Sequence, residues 1–156
     1  AVAAAGGAAI ILRTSWVYSA YGANFVKTML RLAADRDELG VVGDQHGRPT
    51  WARDCAEAAL VAIDALATDP GLAGVYHLSG AGDATWADLA SAVFEISAER
   101  GGPRARVRAI TTDQYPTPAR RPANSRMDCG KIEAALTWRC RSWRESLAAC
   151  MTEMEF

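Results

Sequence analysis

Soft metal ligands are scarce in this sequence. Two histidines and four cysteines are the whole supply in 156 residues, and no two cysteines form a CxxC pair. Cys55, Cys129, Cys140 and Cys150 are too scattered to suggest a zinc site by spacing. A disulfide scaffold is not called for either, because a chain of this length buries a core without one. The expectation is four reduced, structural thiols in a cytoplasmic protein. No apolar run reaches the roughly 18 to 20 residues of a membrane span. The alanine-rich start, AVAAAGGAAIIL, has no basic leader and runs into a strand-like segment, which argues against a signal peptide. Neither sign of charge is in excess: 17 basic and 18 acidic residues leave a net charge of −1. That balance gives no electrostatic footprint for nucleic acid or an anionic membrane. Internal repeats, low-complexity linkers and a GxSxG nucleophile elbow are also missing. The chain begins with Ala rather than Met, as expected of a piece of a longer one.

What is present has the ordinary make-up of a globular domain, with half the residues hydrophobic and 22% charged. Residues 9–14, AIILRT, form a nearly continuous apolar run, the pattern of a strand buried on both faces in a parallel sheet. Asn24 is a good N-cap for a helix whose apolar residues Phe25, Met29, Leu30, Leu32 and Ala33 follow at helical spacing. Leu39 to Val42 reads as a short strand, closed by Gly43-Asp44, and Gly47 with Pro49 marks a turn. Residues 51–67 read as an Ala- and Leu-rich helix, 74–80 as a strand, and Thr85 as the cap of the next helix. A short strand at 106–110, a loop with three prolines at 112–126 and two short helices near 128–136 and 142–153 complete the chain. Strand and helix alternation of this kind is α/β architecture, and residues 1–156 read as one incomplete domain with no separate second domain.

Several stretches could carry chemistry. GAGDAT at 80–85 follows a strand and opens a helix, the setting of a dinucleotide fingerprint. Thr85 replaces the third glycine and Asp83 would set a carboxylate near the phosphates, so a capped strand-to-helix turn is favoured. RTSWVY at 13–18 carries hydroxyls and an indole to the end of a strand, where open α/β sheets bind ligands. Trp16 offers a flat face and one N–H donor, and a plain core plug is an equal reading. Gln45, in GDQHGRPT, suits a pyrimidine edge, against a turn held by Asp44 and Thr50. Arg120 and Arg121 in the proline-stiffened loop YPTPARRPANSRM suit a diphosphate, against a solvated loop in which Arg126 pairs with nearby acids. Asp35, Asp37 and Glu38 read as a solvated helix end.

Taken in order, RTSWVY, NFVKTMLRLA, DQ-x-G-x-PT, GVYHLSG with TW at the next helix, and YPTPA-x-RP-x-NS-R resemble the dTDP-4-dehydrorhamnose reductase family. Its members are extended short-chain dehydrogenases/reductases, and the resemblance covers about residues 9 to 154. It implies reduction of the C4 ketone of dTDP-6-deoxy-L-lyxo-4-hexulose to dTDP-L-rhamnose by NADPH or NADH. It also implies a Rossmann-type fold with a glycine-rich N-terminal half and a Tyr-x-x-x-Lys pair whose Lys charge lowers the Tyr pKa. The sequence departs from that pattern: no Tyr has Lys four positions later, and no GxxGxxG precedes the first strand.

The implied fold class is therefore α/β, the C-terminal substrate-binding half of an extended short-chain dehydrogenase with the N-terminal cofactor half absent. No catalytic residue is expected, and hydride transfer by this chain alone is not expected. The resemblance implies substrate contact for Trp16 and, on the nucleotide-diphosphate side, for Asn24, Gln45, Arg120 and Arg121. It sets Thr14 and Ser15 on the cofactor side. Some members bridge dimers through a metal held by Glu. Glu153 matches one such ligand, but Arg53 stands where another acid is expected, so no metal site is expected. The implied partner is a dTDP-sugar, with a homodimer possible and no nucleic acid or membrane. The alternative is a non-catalytic sugar-nucleotide-binding or regulatory subunit similar to the methionine adenosyltransferase β subunit.

Overall fold

In a computed structural model, residues 6–119 and 121–154 are described. Strand β1, Ile10–Arg13, pairs in parallel with β6, Gly74–His77, with Ile10 opposite Gly74 and Arg13 opposite His77. Strand β3, Glu38–Val42, pairs in parallel with β8, Arg106–Ile110. Two small pairs lie between them in sequence. Strands β2 (Val17–Tyr18) and β5 (Thr50–Trp51) are parallel, whereas β4 (His46–Gly47) and β7 (Ala84–Thr85) are antiparallel. The expected alternation of strand and helix is there, but among the described residues the strands form four two-stranded pairs and not one continuous sheet.

The helices explain that division. Helix α1, Phe25–Ala33, buries Val26, Met29, Leu30 and Ala33 on one stripe, and α3, Trp86–Glu99, packs against it. Both lean on β3, α3 also leans on β8, and they share one hydrophobic core with helix α5, Trp143–Thr152. Helix α2, Ala52–Thr68, presents Ala58 and Ala62 to a second core, which it builds with β1, β6 and helix α4, Gly130–Ala135. Each pair of long strands thus has its own helical cover. Period-two geometry sends Ile10 and Leu12 into the second core while Ile11 faces the other way. This corrects the expectation that the segment is buried on both faces: Ile10, Ile11 and Leu12 are only half-buried, because β6 and α2 cover one edge and one face.

The caps follow the sequence closely. Asn24 accepts a hydrogen bond from the Lys27 amide at 3.2 Å and starts α1. Thr85 and Asp88 form a reciprocal capping box at α3, with Asp88 N donating to Thr85 Oγ1 and Thr85 N donating to Asp88 Oδ2. Glu38 is not part of a helix end; it opens β3, where Arg106 and Arg108 reach its carboxylate from the neighbouring strand.

Helices α2 and α5 are tied by a buried carboxylate. Asp54 is 4% exposed and accepts from Ser146 Oγ at 2.5 Å and Arg141 Nη1 at 2.8 Å. Burial pushes its pKa up and outweighs the lowering by Ser146 and Arg141. An acid of raised pKa holds its proton more readily in the folded state. Its contribution to stability therefore grows as the pH falls through the folded pKa towards the unfolded value. Thermal unfolding of the wild type and Asp54→Asn between neutral pH and the carboxylate range should show the wild type gaining on the variant as the pH falls. A wild type that loses ground over that range would contradict the assignment.

Candidate functional site

Strand β1 ends at Arg13, and the chain then turns sharply through Trp16, whose φ is 52°. Among the described residues it is the one non-glycine in left-handed backbone space. That conformation costs an L-residue about 1–2 kcal/mol, and such strain collects at functional sites. Its indole stacks on Trp86, the first residue of α3, with ring centroids 3.6 Å apart and planes 7° from parallel. Phe25, the first residue of α1, backs Trp86 at 4.7 Å. Two helix N-termini and one strand exit therefore converge on one aromatic column.

The polar edges of the column are all engaged. Trp16 Nε1 donates to Ser125 Oγ at 2.8 Å, and Ser125 Oγ donates in turn to the His46 carbonyl. Trp86 Nε1 donates to Gln45 Oε1 at 3.2 Å, and Gln45 Nε2 donates to Thr112 Oγ1 at 3.1 Å. Thr112 donates through both its amide and its hydroxyl to Asp44. Those two bonds hold the Asp44 pKa below the ordinary carboxylate value.

The proline-containing segment is drawn over this column. His46 N donates to Ala123 O and Ser125 N donates to His46 O, both at 2.8 Å, which makes a parallel bridge to Asn124. Asp83 clamps the far end of the segment. It accepts from Arg48 Nε at 2.9 Å and Arg126 Nη1 at 3.0 Å, while Arg48 Nη1 reaches the Met127 carbonyl at 2.7 Å. The two guanidinium groups lower the Asp83 pKa, Arg48 most. GAGDAT is thus a structural turn. It points a paired carboxylate where a dinucleotide needs bare amides, and a Cβ on Gly82 would meet Trp143 at 3.2 Å.

Between column and segment lies a cavity of about 250 Å³, lined by Trp16, Gln45, Trp86, Arg121, Pro122 and Ser125. Three residues singled out from the sequence meet here: Trp16, Gln45 and Arg121. Arg121 is exposed and makes no hydrogen bond or ion pair among the described residues. Gln45 is 6% exposed and spends both ends of its amide within the protein. Trp16 spends its N–H on Ser125 and one face on Trp86.

The other singled-out residues lie elsewhere. Asn24 does not line the cavity; its amide donates to the Ser19 carbonyl at 2.8 Å while its oxygen caps α1. Thr14 is exposed past the end of β1, 3.8 Å from Cys55 Sγ, and Ser15 Oγ reaches the Ser125 carbonyl at 3.5 Å. Arg120 lies outside the described residues. Tyr18 is 1% exposed, and burial pushes its pKa up, so it is a core residue and no proton donor to a ligand. Glu153 accepts from Arg53 Nη1 at 2.7 Å, so a cation already occupies the side of that carboxylate. Among the described residues no group of three or more His, Cys, Asp or Glu is placed to hold a metal.

Trp86, Thr112 and Ser125 were not singled out as site residues. Trp86 and Ser125 lie in quoted motifs, TW and NS-R, but nothing local marks them as neighbours of Trp16. Their signal is tertiary.

The fold and the cavity at the end of β1 define the substrate-binding half of an extended short-chain dehydrogenase/reductase. The chain belongs to the RmlD substrate binding domain family, whose model matches residues 1–156. It is 49% identical over 148 residues to dTDP-4-dehydrorhamnose reductase of Sinorhizobium fredii, covering 94% of this chain and 50% of that protein. With the enzyme of the same name from Escherichia coli K12 it shares 43% identity over 147 residues, 93% of this chain and 49% of the relative. The crystal structure of dTDP-4-dehydrorhamnose reductase from Bacillus anthracis, in complex with NADP, superposes with a TM-score of 0.79 at 34% identity. That match covers 94% of this chain and 48% of the other. The chain spans about half the length of the curated relatives it matches.

Gly47 controls the column from below. A Cβ there would sit 2.3 Å from Trp16 Cε2, inside the indole. Gly47→Ala should destabilise the protein by about 1–3 kcal/mol, as overpacking does, and displace the Trp16 ring. Thermal unfolding and tryptophan fluorescence check this; an unchanged Tm and emission maximum would mean that the ring is not pinned against β4.

Proposed function

We propose that this chain is the sugar-nucleotide-binding half of a dTDP-4-dehydrorhamnose reductase. Joined to a dinucleotide-binding half, it would serve reduction of the C4 ketone of dTDP-6-deoxy-L-lyxo-4-hexulose to dTDP-L-rhamnose. The observation that carries the reading is the aromatic cavity closed by Arg121 at the carboxyl end of β1, in a chain close to half-identical to a reductase of that name. Trp16 supplies an apolar wall for the sugar. Arg121, and Arg120 beside it in sequence, supply guanidinium groups for the diphosphate. Thr14 and Ser15, at the exit of β1, would contact the nicotinamide cofactor. NADPH or NADH, when bound, supplies the hydride. The GAGDAT turn does not fit the dinucleotide's pyrophosphate, since the Asp83 clamp occupies it. The same reading assigns the protein to the cytoplasm, in keeping with four unpaired cysteines.

Titration calorimetry tests the division of labour. This chain should bind dTDP-L-rhamnose and not NADPH, and Trp16→Ala should weaken the sugar nucleotide by roughly tenfold, about 1.4 kcal/mol. A folded sample that binds no dTDP-L-rhamnose would defeat the reading. Oxidation of NADPH by this chain with the keto sugar would defeat the claim that it lacks the proton donor, a group worth about 10²–10⁴ in rate.

The same reading carries an expectation about association. Among the described residues β1 has a strand partner on one edge only, and Leu60 and Ile63 on α2 and Val75 on β6 are exposed. Open apolar edges recruit further strands. Light scattering should show self-association at micromolar concentration, a homodimer being the simplest form. A clean monomer would rule this out.

A further inference from the structure

We infer that Gln45 and Trp86 are positioning residues for Trp16, and that Thr112 and Asp44, outside the cavity lining, set the posture of Trp16 through them. The inference rests on the reading of the cavity as the sugar-nucleotide site.

The hydrogen bonds run in one direction only. Asp44 is exposed, and two donors from Thr112 converge on it, the amide at 3.0 Å and the hydroxyl at 2.7 Å. An ionised carboxylate only accepts, so the Thr112 hydroxyl proton points to Asp44. The Thr112 oxygen is then left to accept, and Gln45 must turn its NH₂ towards it. The Gln45 carbonyl consequently faces Trp86, whose indole N–H can only donate. Flipping the amide would set donor against donor at Trp86 and acceptor against acceptor at Thr112. The chain Asp44–Thr112–Gln45–Trp86 therefore has a single self-consistent arrangement, and Gln45 is buried where an unmade bond is costly.

That arrangement fixes the Trp86 ring about its own axis. Phe25 backs the ring, and the Trp16 indole lies flat on it. At φ 52° the Trp16 backbone is held by the Thr50 amide, which donates to its carbonyl at 3.1 Å, while its ring is held by Ser125, the close approach of Gly47 and the Trp86 face. A Trp86 ring free to rotate would take the cavity wall with it. The consequence is a dependence of ligand affinity on a threonine and an aspartate that the ligand does not touch.

The test uses a signal that the Trp pair generates by itself. Two indoles stacked this closely couple as excitons and, unless their transition dipoles lie parallel, give a paired band of opposite signs in circular dichroism; where they lie parallel, the tryptophan emission maximum reads the same stacking. The spectrum, the Tm and the affinity for dTDP-L-rhamnose would be measured for the wild type, Thr112→Val, Thr112→Ser and Gln45→Leu. Thr112→Val and Gln45→Leu should lose most of the couplet and bind roughly tenfold more weakly, while Thr112→Ser keeps both. If Gln45→Leu does not fold, the Thr112 pair decides. A wild-type couplet and affinity in Thr112→Val would overturn the inference. A couplet lost in Thr112→Val and kept in Thr112→Ser, with no sugar nucleotide bound by any protein, would uphold the positioning chain and defeat only the functional reading.

Discussion

The close approach of the Gly47 backbone to the Trp16 indole is the contact on which the site depends. It is possible only because residue 47 has no Cβ, which would fall 2.3 Å from the ring. With the ring seated there, the Trp16 carbonyl accepts from Thr50 N and joins β2 to β5. The neighbouring His46 holds residues 123–125 on its other side, and Arg48 closes the clamp with Asp83. A stretch of five residues, 46 to 50, thus touches the strand exit, the proline-containing segment and the turn before α3. A shift of this stretch would move every wall of the cavity.

Around that hub the fold distributes rigidity unevenly. The core shared by α1, α3 and α5 holds Val26, Ala90, Val93, Leu147 and Met151 at no exposure. It grips the column from the side of Phe25 and Trp86. The second core, between α2, α4 and the β1–β6 pair, leaves Ile10 to Leu12 half-buried. The wall that carries Trp86 is therefore anchored more deeply than the strand that leads into Trp16. Hydrogen bonds and stacking, not burial alone, must then hold Trp16 in its strained conformation.

Much of the local structure was legible because its causes are local. Asn24 and Thr85 announce their helices through capping chemistry, which acts within four residues. Glu38 was misread for the opposite reason: its partners Arg106 and Arg108 are distant in sequence, and no neighbouring residue marks it as the start of a strand. Gln45 shows the same limit more sharply. As a residue type it suits a ligand's donor and acceptor pattern, yet Trp86 and Thr112 take both ends of its amide. Asn24 was correctly read as a cap, and that cap and the Ser19 carbonyl engage its amide at both ends. Polar residues advertise capacity for hydrogen bonding, and only their surroundings say who uses it.

The sequence by itself determined the order of the long strands and helices, the caps, the α/β class and, through five short motifs in series, the family. These depend on periodicity, on capping and on residue identity, all of which act over a few positions. Tertiary structure alone decided that the strands separate into pairs, that Asp83 is a clamp and no phosphate neighbour, and that Trp16 lies on Trp86. Those outcomes are contacts between segments far apart along the chain. Their energies come from stacking, ion pairing and the absence of a single Cβ at Gly47, and none exists until the chain has folded.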